Sequence, residues 1–306
     1  MKLYFAPLEG ITTYTYRNAH SEMFSGVDTY FAPFIVPTEN ERISVKTLRD
    51  ILPENNSVKV IPQVLCSSGA AFCELAKKVK DLGYDEVNLN LGCPSGTVVK
   101  KKRGSGALRD TDYLDGLLDY IFSHGNIKVS LKTRTGFYSH DEFCELIEIY
   151  NKYPATELIV HPRVREELYS GTPNMEAFDY AYKNSRHKLC YNGDITKVSD
   201  YLRICERYPD INSVMIGRGA IGNPAIFRTI KGGEKIKIQE LIDFSKKLEE
   251  RYLKVLGCEH YTVHRLKEIW LYIMRNFPED KKTTKAIKKS NSLSDINSAI
   301  ENMGVK

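Results

Sequence analysis

The feature that most constrains this chain is an alternation. Over the first 230 residues, eight short apolar runs fall at 3–7, 29–32, 58–65, 86–91, 128–132, 157–161, 188–191 and 213–216. Stretches with helical periodicity separate most of them. In 70–82, Phe72, Leu75, Ala76, Val79 and Leu82 share one face, and 141–150 behaves alike; this is the spacing of an amphipathic helix. Repeated strand-then-helix units build a parallel sheet with its outer face covered, and eight of them predict a (β/α)8 TIM barrel. A doubly wound open sheet also alternates, but it calls for a glycine-rich dinucleotide turn after an early strand. None is present.

Polar residues gather where the runs end: Pro7, Leu8 and Glu9; Gln63; Asn88 and Asn90; Lys132 and Arg134; His161 and Arg163; Asn192, Gly193 and Asp194; Gly217, Arg218 and Gly219. In a barrel these ends converge on one face, where active sites are built. The richest stretch is 85–107. There a run ends at Gly92, Cys93 and Pro94 follow, and four basic residues, Lys100, Lys101, Lys102 and Arg103, lead into a glycine-bounded loop at Gly104–Gly106. The last two endings suggest a phosphate site, since small residues let backbone N–H groups approach an anion. Asn223 and Pro224 read as the cap and first turn of a helix just beyond.

After residue 232 only helical patterns remain. Leu241, Phe244, Leu248, Tyr252 and Val255 form one apolar stripe, and Val263, Leu266, Trp270, Ile273 and Phe277 a second. A third, Leu293, Ile296, Ile300 and Met303, opens with Ser292 and Asp295 spaced as a capping box. Residues 1–232 therefore read as a catalytic barrel and 238–306 as a small helical bundle. The net charge of +5 lies entirely after residue 230, which points to a polyanionic partner for the bundle. Seven scattered cysteines without a Cys-x-x-Cys pair argue against disulfides and zinc. His260 and His264 have helical spacing but lack the glutamate of a zinc-protease motif, so no metal is expected. No apolar run nears the ~18 residues of a membrane span, and a cytoplasmic monomer is expected.

The chain resembles the tRNA-dihydrouridine synthases, the Dus flavoenzymes. The matching segments are FAPLEGIT at 5–12, PQV at 62–64, NLNLGCPS at 88–95, GSGAL at 104–108, LKTRTG at 131–136, NGDI at 192–195 and VMIGRGAIGNP at 214–224. The C-terminal HRLKEIW and SNSLSDINSAI are similar to the bacterial C-type branch. The resemblance implies FMN at the barrel mouth, NADPH as electron donor and D-loop uridines of tRNA as substrate. It matches Cys93 to the catalytic acid, and Pro7, Leu8, Glu9, Gln63, Lys132, His161, Asn192, Gly193, Asp194, Gly217 and Arg218 to the cofactor site. Asn90 and Arg134 would lie near the substrate. Lys100–Arg103, Arg163, Arg165, Arg265, Lys281, Lys282, Lys285, Lys288 and Lys289 would meet RNA phosphates, which fix register without reading sequence. One departure stands out: where the family has His-Gly-Arg-Thr, this chain has His161, Pro162, Arg163 and Val164.

Such chemistry needs these residue types. Hydride enters uracil at C6, the resulting enolate needs a proton at C5, and a thiol of ordinary pKa about 8.5 is protonated at neutral pH. A lysine beside the flavin would stabilise its negative charge. A uridine reaches a barrel mouth only by leaving the RNA stack. Two other classes remain open on the residues alone: a flavin barrel acting on a free pyrimidine or a ribosomal RNA uridine, and an RNA-binding barrel without catalysis.

Overall fold

The computed structural model describes residues 1–37 and 45–303; the last three residues of the expected 238–306 bundle lie outside them. Nine parallel strands form one sheet: β1 (Lys2–Phe5), β2 (Thr29–Phe31), β3 (Val60–Ile61), β4 (Gln63–Val64), β5 (Glu86–Leu91), β6 (Lys128–Arg134), β7 (Leu158–His161), β8 (Leu189–Tyr191) and β9 (Ser213–Ile216). Their order, β3-β2-β1-β9-β8-β7-β6-β5-β4, brings the two ends of the sheet back to neighbouring chain segments. The run expected at 58–65 is one stave split in two at Pro62. Proline has no N–H to donate to a ladder, so β3 pairs with β2 and β4 pairs with β5. The barrel is thus eight staves, one of them broken.

Helices Tyr14–Met23, Gly69–Asp81, Thr111–His124, Phe143–Tyr150, Met175–Asn184 and Val198–Arg207 wrap the outside, as the apolar faces predicted. Gly69–Asp81 buries Phe72, Leu75, Ala76 and Val79, and the Ser68 side chain accepts from Ala71 N–H at its start. Register carries the inward parity across the sheet: Gln63 faces Asn88, Asn90 faces Lys132, Arg134 faces His161, and Ile159 faces Cys190. The inward set is therefore polar on β4–β6. On the other side it is apolar, a cluster of Tyr4, Ala6, Phe31, Ile159, Cys190 and Met215.

One expectation for the loop after β9 is corrected. Asn223 does not start a helix; it closes the short helix Arg218–Gly222, whose first residue follows Gly217 directly. The next helix, Ile226–Ile230, has Ala225 at its N-cap position and no side-chain cap.

Helices Ile238–Leu256, Glu259–Ile273, Lys281–Lys289 and Leu293–Glu301 follow the link after Ile230. Most of their stripe residues are buried, partly against one another, as Trp270 Nε1 donates to Ser245 Oγ at 2.9 Å, and partly against the barrel. Phe244 packs edge-on to Tyr16 (5.5 Å) and Phe24 (5.2 Å), a contact worth roughly 2 kcal/mol of burial for one such ring. His20 sits in the same seam, wholly buried, its Nε2–H donating to Pro224 O and its Nδ1 accepting from Tyr30 hydroxyl. One hydrophobic core runs across the link without interruption. Among the described residues no helix is long and apolar enough to cross a membrane.

Candidate active site

Cys93 is held by its backbone from two sides. Asn90, on the inner face of β5, turns its amide oxygen onto the N–H groups of Gly92 (3.0 Å) and Cys93 (2.9 Å). Its amide nitrogen donates to Gln63 Oε1 (2.7 Å); Gln63 donates to Asn88 Oδ1 (2.7 Å), and Asn88 to Ser130 Oγ (3.0 Å). All four are buried, so each amide has a defined orientation to satisfy. From the other side the Ser105 N–H (3.1 Å) and hydroxyl (2.9 Å) donate to the Cys93 carbonyl. Gly104, at φ +55°, lies directly on the cysteine, and a Cβ there would stand 2.9 Å from Cys93 Cβ. The glycine-bounded loop is a packed clasp, with Gly104 to Leu108 buried.

The thiol opens onto a cavity of about 490 Å³, within the usual range for a ligand site. Burial pushes the Cys93 thiol up, against the pull of a Ser95 backbone hydrogen bond and the Arg134 charge. It is therefore a protonated thiol at neutral pH. On the neighbouring strand Lys132 reaches the same cavity. Burial, aided by repulsion from Arg134, pulls its ammonium down to about 8. Among the described residues that ammonium has no partner. Arg134 is buried and partly spent on structure, donating to Gly92 O (2.8 Å) and Val164 O (3.0 Å).

The opposite end of the cavity suits an anion. The loops after β8 and β9 interlock through glycines: a Cβ on Gly193 would fall 2.0 Å from the Tyr191 hydroxyl, and one on Gly219 1.9 Å from Ile195 O. Among the described residues, no acceptor meets the backbone N–H groups of Gly193, Asp194, Gly217 or Arg218. Arg218 adds its guanidinium, 4.8 Å above the Tyr169 ring. His161 is buried, and burial first, then Arg134, Lys132, Arg163 and Arg218, push its pKa well below the ordinary value. Its Nε2 lies 3.0 Å from Arg163 Nη1. A guanidinium only donates, so Nε2 carries the lone pair and the proton sits on Nδ1.

All eleven residues expected at the cofactor line this one cavity: Pro7, Leu8, Glu9, Gln63, Lys132, His161, Asn192, Gly193, Asp194, Gly217 and Arg218. Cys93, Asn90 and Arg134 join them. The expected RNA contacts divide. Arg163 is fully buried and cannot reach a phosphate outside, and Arg165 is paired with Glu166 at 2.7 Å. Lys100, Lys101 and Lys102 are exposed away from the cavity, Lys102 near Asp110 (3.4 Å); Arg103 is half-buried. Arg265 packs on Gly10 and pairs with Glu268. Lys281, Lys282, Lys285, Lys288 and Lys289 lie on one short helix, and all five are exposed. In place of the expected hydroxyl, Val164 is buried; its backbone N–H donates to Glu167 and its carbonyl accepts from Arg134.

Sequence reasoning missed part of the wall. Pro33 and Phe34 follow β2 and had the same strand-end signal as the rest. Tyr169 lies eight residues past His161, with no local mark. Glu268, Tyr272 and Arg275 come from the C-terminal helices, off their apolar stripe, and complete the mouth.

A protein-family model described as Dihydrouridine synthase (Dus) matches residues 4–302. A probable tRNA-dihydrouridine synthase of Staphylococcus aureus (strain MRSA252) is 28% identical over 249 residues, covering 78% of this chain and 73% of that protein. The tRNA-dihydrouridine synthase B of Proteus vulgaris is 28% identical over 231 residues, covering 74% and 69%. Among solved structures, the old yellow enzyme from Trypanosoma cruzi superposes with a TM-score of 0.53 at 9% identity, covering 78% of this chain and 91% of that one. That likeness bears on the fold alone.

Proposed function

The chain belongs to the dihydrouridine synthase family, and from that premise we propose that it reduces the C5=C6 bond of D-loop uridines in tRNA, with FMN in the mouth cavity and NADPH as electron donor. The observation that carries this reading is that one cavity gathers Cys93 with every residue nominated for the flavin. The donor set fits that group. Arg218 and the four unpartnered backbone N–H groups would hold a phosphate. Lys132, Gln63 and the Nδ1–H of His161 would meet ring carbonyls and nitrogens.

Bound and reduced, the flavin supplies a hydride for C6 of the uracil. Cys93 holds the proton that C5 must receive, and burial keeps the thiol protonated until it is needed. The Ser130–Asn88–Gln63–Asn90 relay fixes the backbone from which that thiol projects. Lys132 holds positive charge at a water-poor site where it acts more strongly than in bulk solvent. Asn90 acts chiefly by positioning Cys93, and Arg134 by holding the Gly92 turn.

The RNA is held on the helices after residue 238. Their exposed Lys282, Lys285, Lys288 and Lys289 are the observation behind this division of labour. The protein purified from cells should be yellow and release FMN on denaturation. After reduction with NADPH under anaerobic conditions, the flavin should reoxidise on addition of tRNA lacking dihydrouridine and not on addition of uridine. Reoxidation by free uridine alone would replace the RNA reading with a small-molecule one.

A further inference from the structure

An acidic side chain in an anion site needs a reason, and Asp194 lines the phosphate end of the cavity. Its carboxylate is gripped from behind by Arg163 through both terminal nitrogens, to Oδ1 at 3.2 Å and to Oδ2 by a short contact. From the cavity side Arg218 Nη2 donates to Oδ1 at 2.6 Å. Arg163 has nothing left to offer a ligand. Its Nε–H goes to Ser170 O (2.9 Å), one Nη2–H to Gly171 O (2.7 Å), one Nη1–H to His161 Nε2 (3.0 Å), and the remaining two to Asp194. All five donors of the guanidinium are used, at a residue with no exposed surface.

We propose that Asp194 and Arg163 are positioning residues: Arg163 anchors the Asp194 carboxylate, and Asp194 holds the Arg218 guanidinium at the place where it selects a flavin carrying a phosphate over one that does not. This rests on the flavin reading above and deepens it, because it moves the Asp194 side chain from the ligand's contacts to a support behind them. Burial alone would raise the Asp194 carboxyl; the hydrogen bond and charge of Arg163, then of Arg218, outweigh it and leave it ionised. A neutral side chain at 194 would keep the shape yet lose the charge-assisted bond that orients Arg218. The Tyr169 ring beneath Arg218 limits the guanidinium from the other face but supplies no directional bond to it.

The test compares the affinities of flavin-free protein for FMN and riboflavin, titrated by quenching of flavin fluorescence. Native protein should prefer FMN, and Arg218→Ala should abolish most of that preference. Asp194→Asn should cut it by about tenfold, the size of one oriented charge-assisted hydrogen bond, while riboflavin affinity holds. Adding Asp194→Asn to Arg218→Ala should change FMN affinity little, since the first acts through the second. Arg163 would be left as an unpaired buried charge in the single variant and could prevent folding. The pair Arg163→Met with Asp194→Asn removes both charges together and should show the same lowered ratio. Equal losses for FMN and riboflavin, or additivity with Arg218→Ala, would overturn the proposal in favour of plain structural support. A gain in FMN affinity would overturn it too, as it would mean the carboxylate merely repels the phosphate. If native protein binds neither flavin, the functional reading itself fails; if it prefers FMN and only the 194 variants are silent, this inference alone fails.

Discussion

The barrel mouth and the basic helix Lys281–Lys289 both present positive charge, and they do so in opposite ways. At the mouth, Lys132, His161 and Arg163 are enclosed, and burial with neighbouring charges sets the protonation of the lysine and the histidine. On the helix, Lys282, Lys285, Lys288 and Lys289 stand in solvent, anchored only by the buried Thr283 and Ile287 beneath them. His161 and Arg163 are over-determined: each has a neighbour that fixes it, and removing one strands another. The helix is redundant, its charges screened by salt and nearly independent. A reacting centre needs the first design, and a surface that follows a phosphate backbone needs only the second.

The contrast can be broken most sharply at Cys93. Cys93→Ala should lower the rate of dihydrouridine formation by about 10²–10⁴, the span of a lost general acid, while flavin content and RNA affinity stay native. Near-normal turnover in single-turnover assays would remove the thiol from its assigned role.

The seam joining the two regions comes next. Burial holds His20 down to about 4, against the pull of its bond to Pro224 O. A histidine depressed in the folded state takes up its proton more readily when unfolded. Stability is therefore full above the ordinary value near 6.5 and falls as pH drops toward 4, by up to ~3 kcal/mol from this group. Urea midpoints measured at pH 7 and pH 4.5 should differ accordingly, and His20→Gln should flatten the difference. A native protein equally stable at both would show that barrel and helices do not depend on this buried ring.

Lys132 gives a smaller effect at the mouth. Its ammonium is charged below about 8, so FMN affinity of the flavin-free protein should fall as pH rises through that value. The fall should be roughly tenfold, the worth of one charge-assisted bond from the ammonium to a flavin ring acceptor. The Lys132→Met variant should bind more weakly throughout and show no such fall. A pH-independent native affinity would mean that the ammonium does not face the cofactor.

The basic helix should give the smallest effect per residue. Changing Lys282, Lys285, Lys288 and Lys289 together to Glu should weaken tRNA binding and make its salt dependence shallower by up to 3–4 log units per log unit, about 0.9 for each phosphate no longer neutralised. NADPH oxidation and flavin content should not change. Any single lysine-to-alanine change should cost less than ~1 kcal/mol. An unaltered slope in the fourfold variant would place the RNA elsewhere, with the exposed Lys100, Lys101 and Lys102 the next surface to test.

The eight staves were legible because parallel barrel strands are short apolar runs, and even the break at Pro62 follows from proline's missing N–H. The cavity wall was legible for a related reason: residues at strand ends must share one face once the barrel closes, so Gln63, Lys132, His161 and Arg218 could be grouped without knowing any distance. Nothing local distinguished Arg163 from Arg134 or Arg165, yet one is sealed in, one lines the cavity and one pairs with Glu166. A guanidinium's role depends on which carbonyls and carboxylates arrive from other loops. Tyr272 and Arg275 fall in a stretch that reads as a separate bundle because its helices carry a stripe of their own; that part of the stripe packs on the barrel is a matter of complementary shape.

What the sequence determined by itself was periodicity and chemistry: strand and helix alternation, the inward parity of each strand, a thiol at a strand end, and an excess of charge after residue 230. These are properties of neighbours along the chain, and backbone geometry transmits them directly. Only the tertiary structure decided which charges are buried, which donors are already used and which helix closes the mouth. Those depend on groups far apart in sequence meeting within hydrogen-bonding distance, where desolvation and hydrogen-bond geometry, not residue type, assign the role.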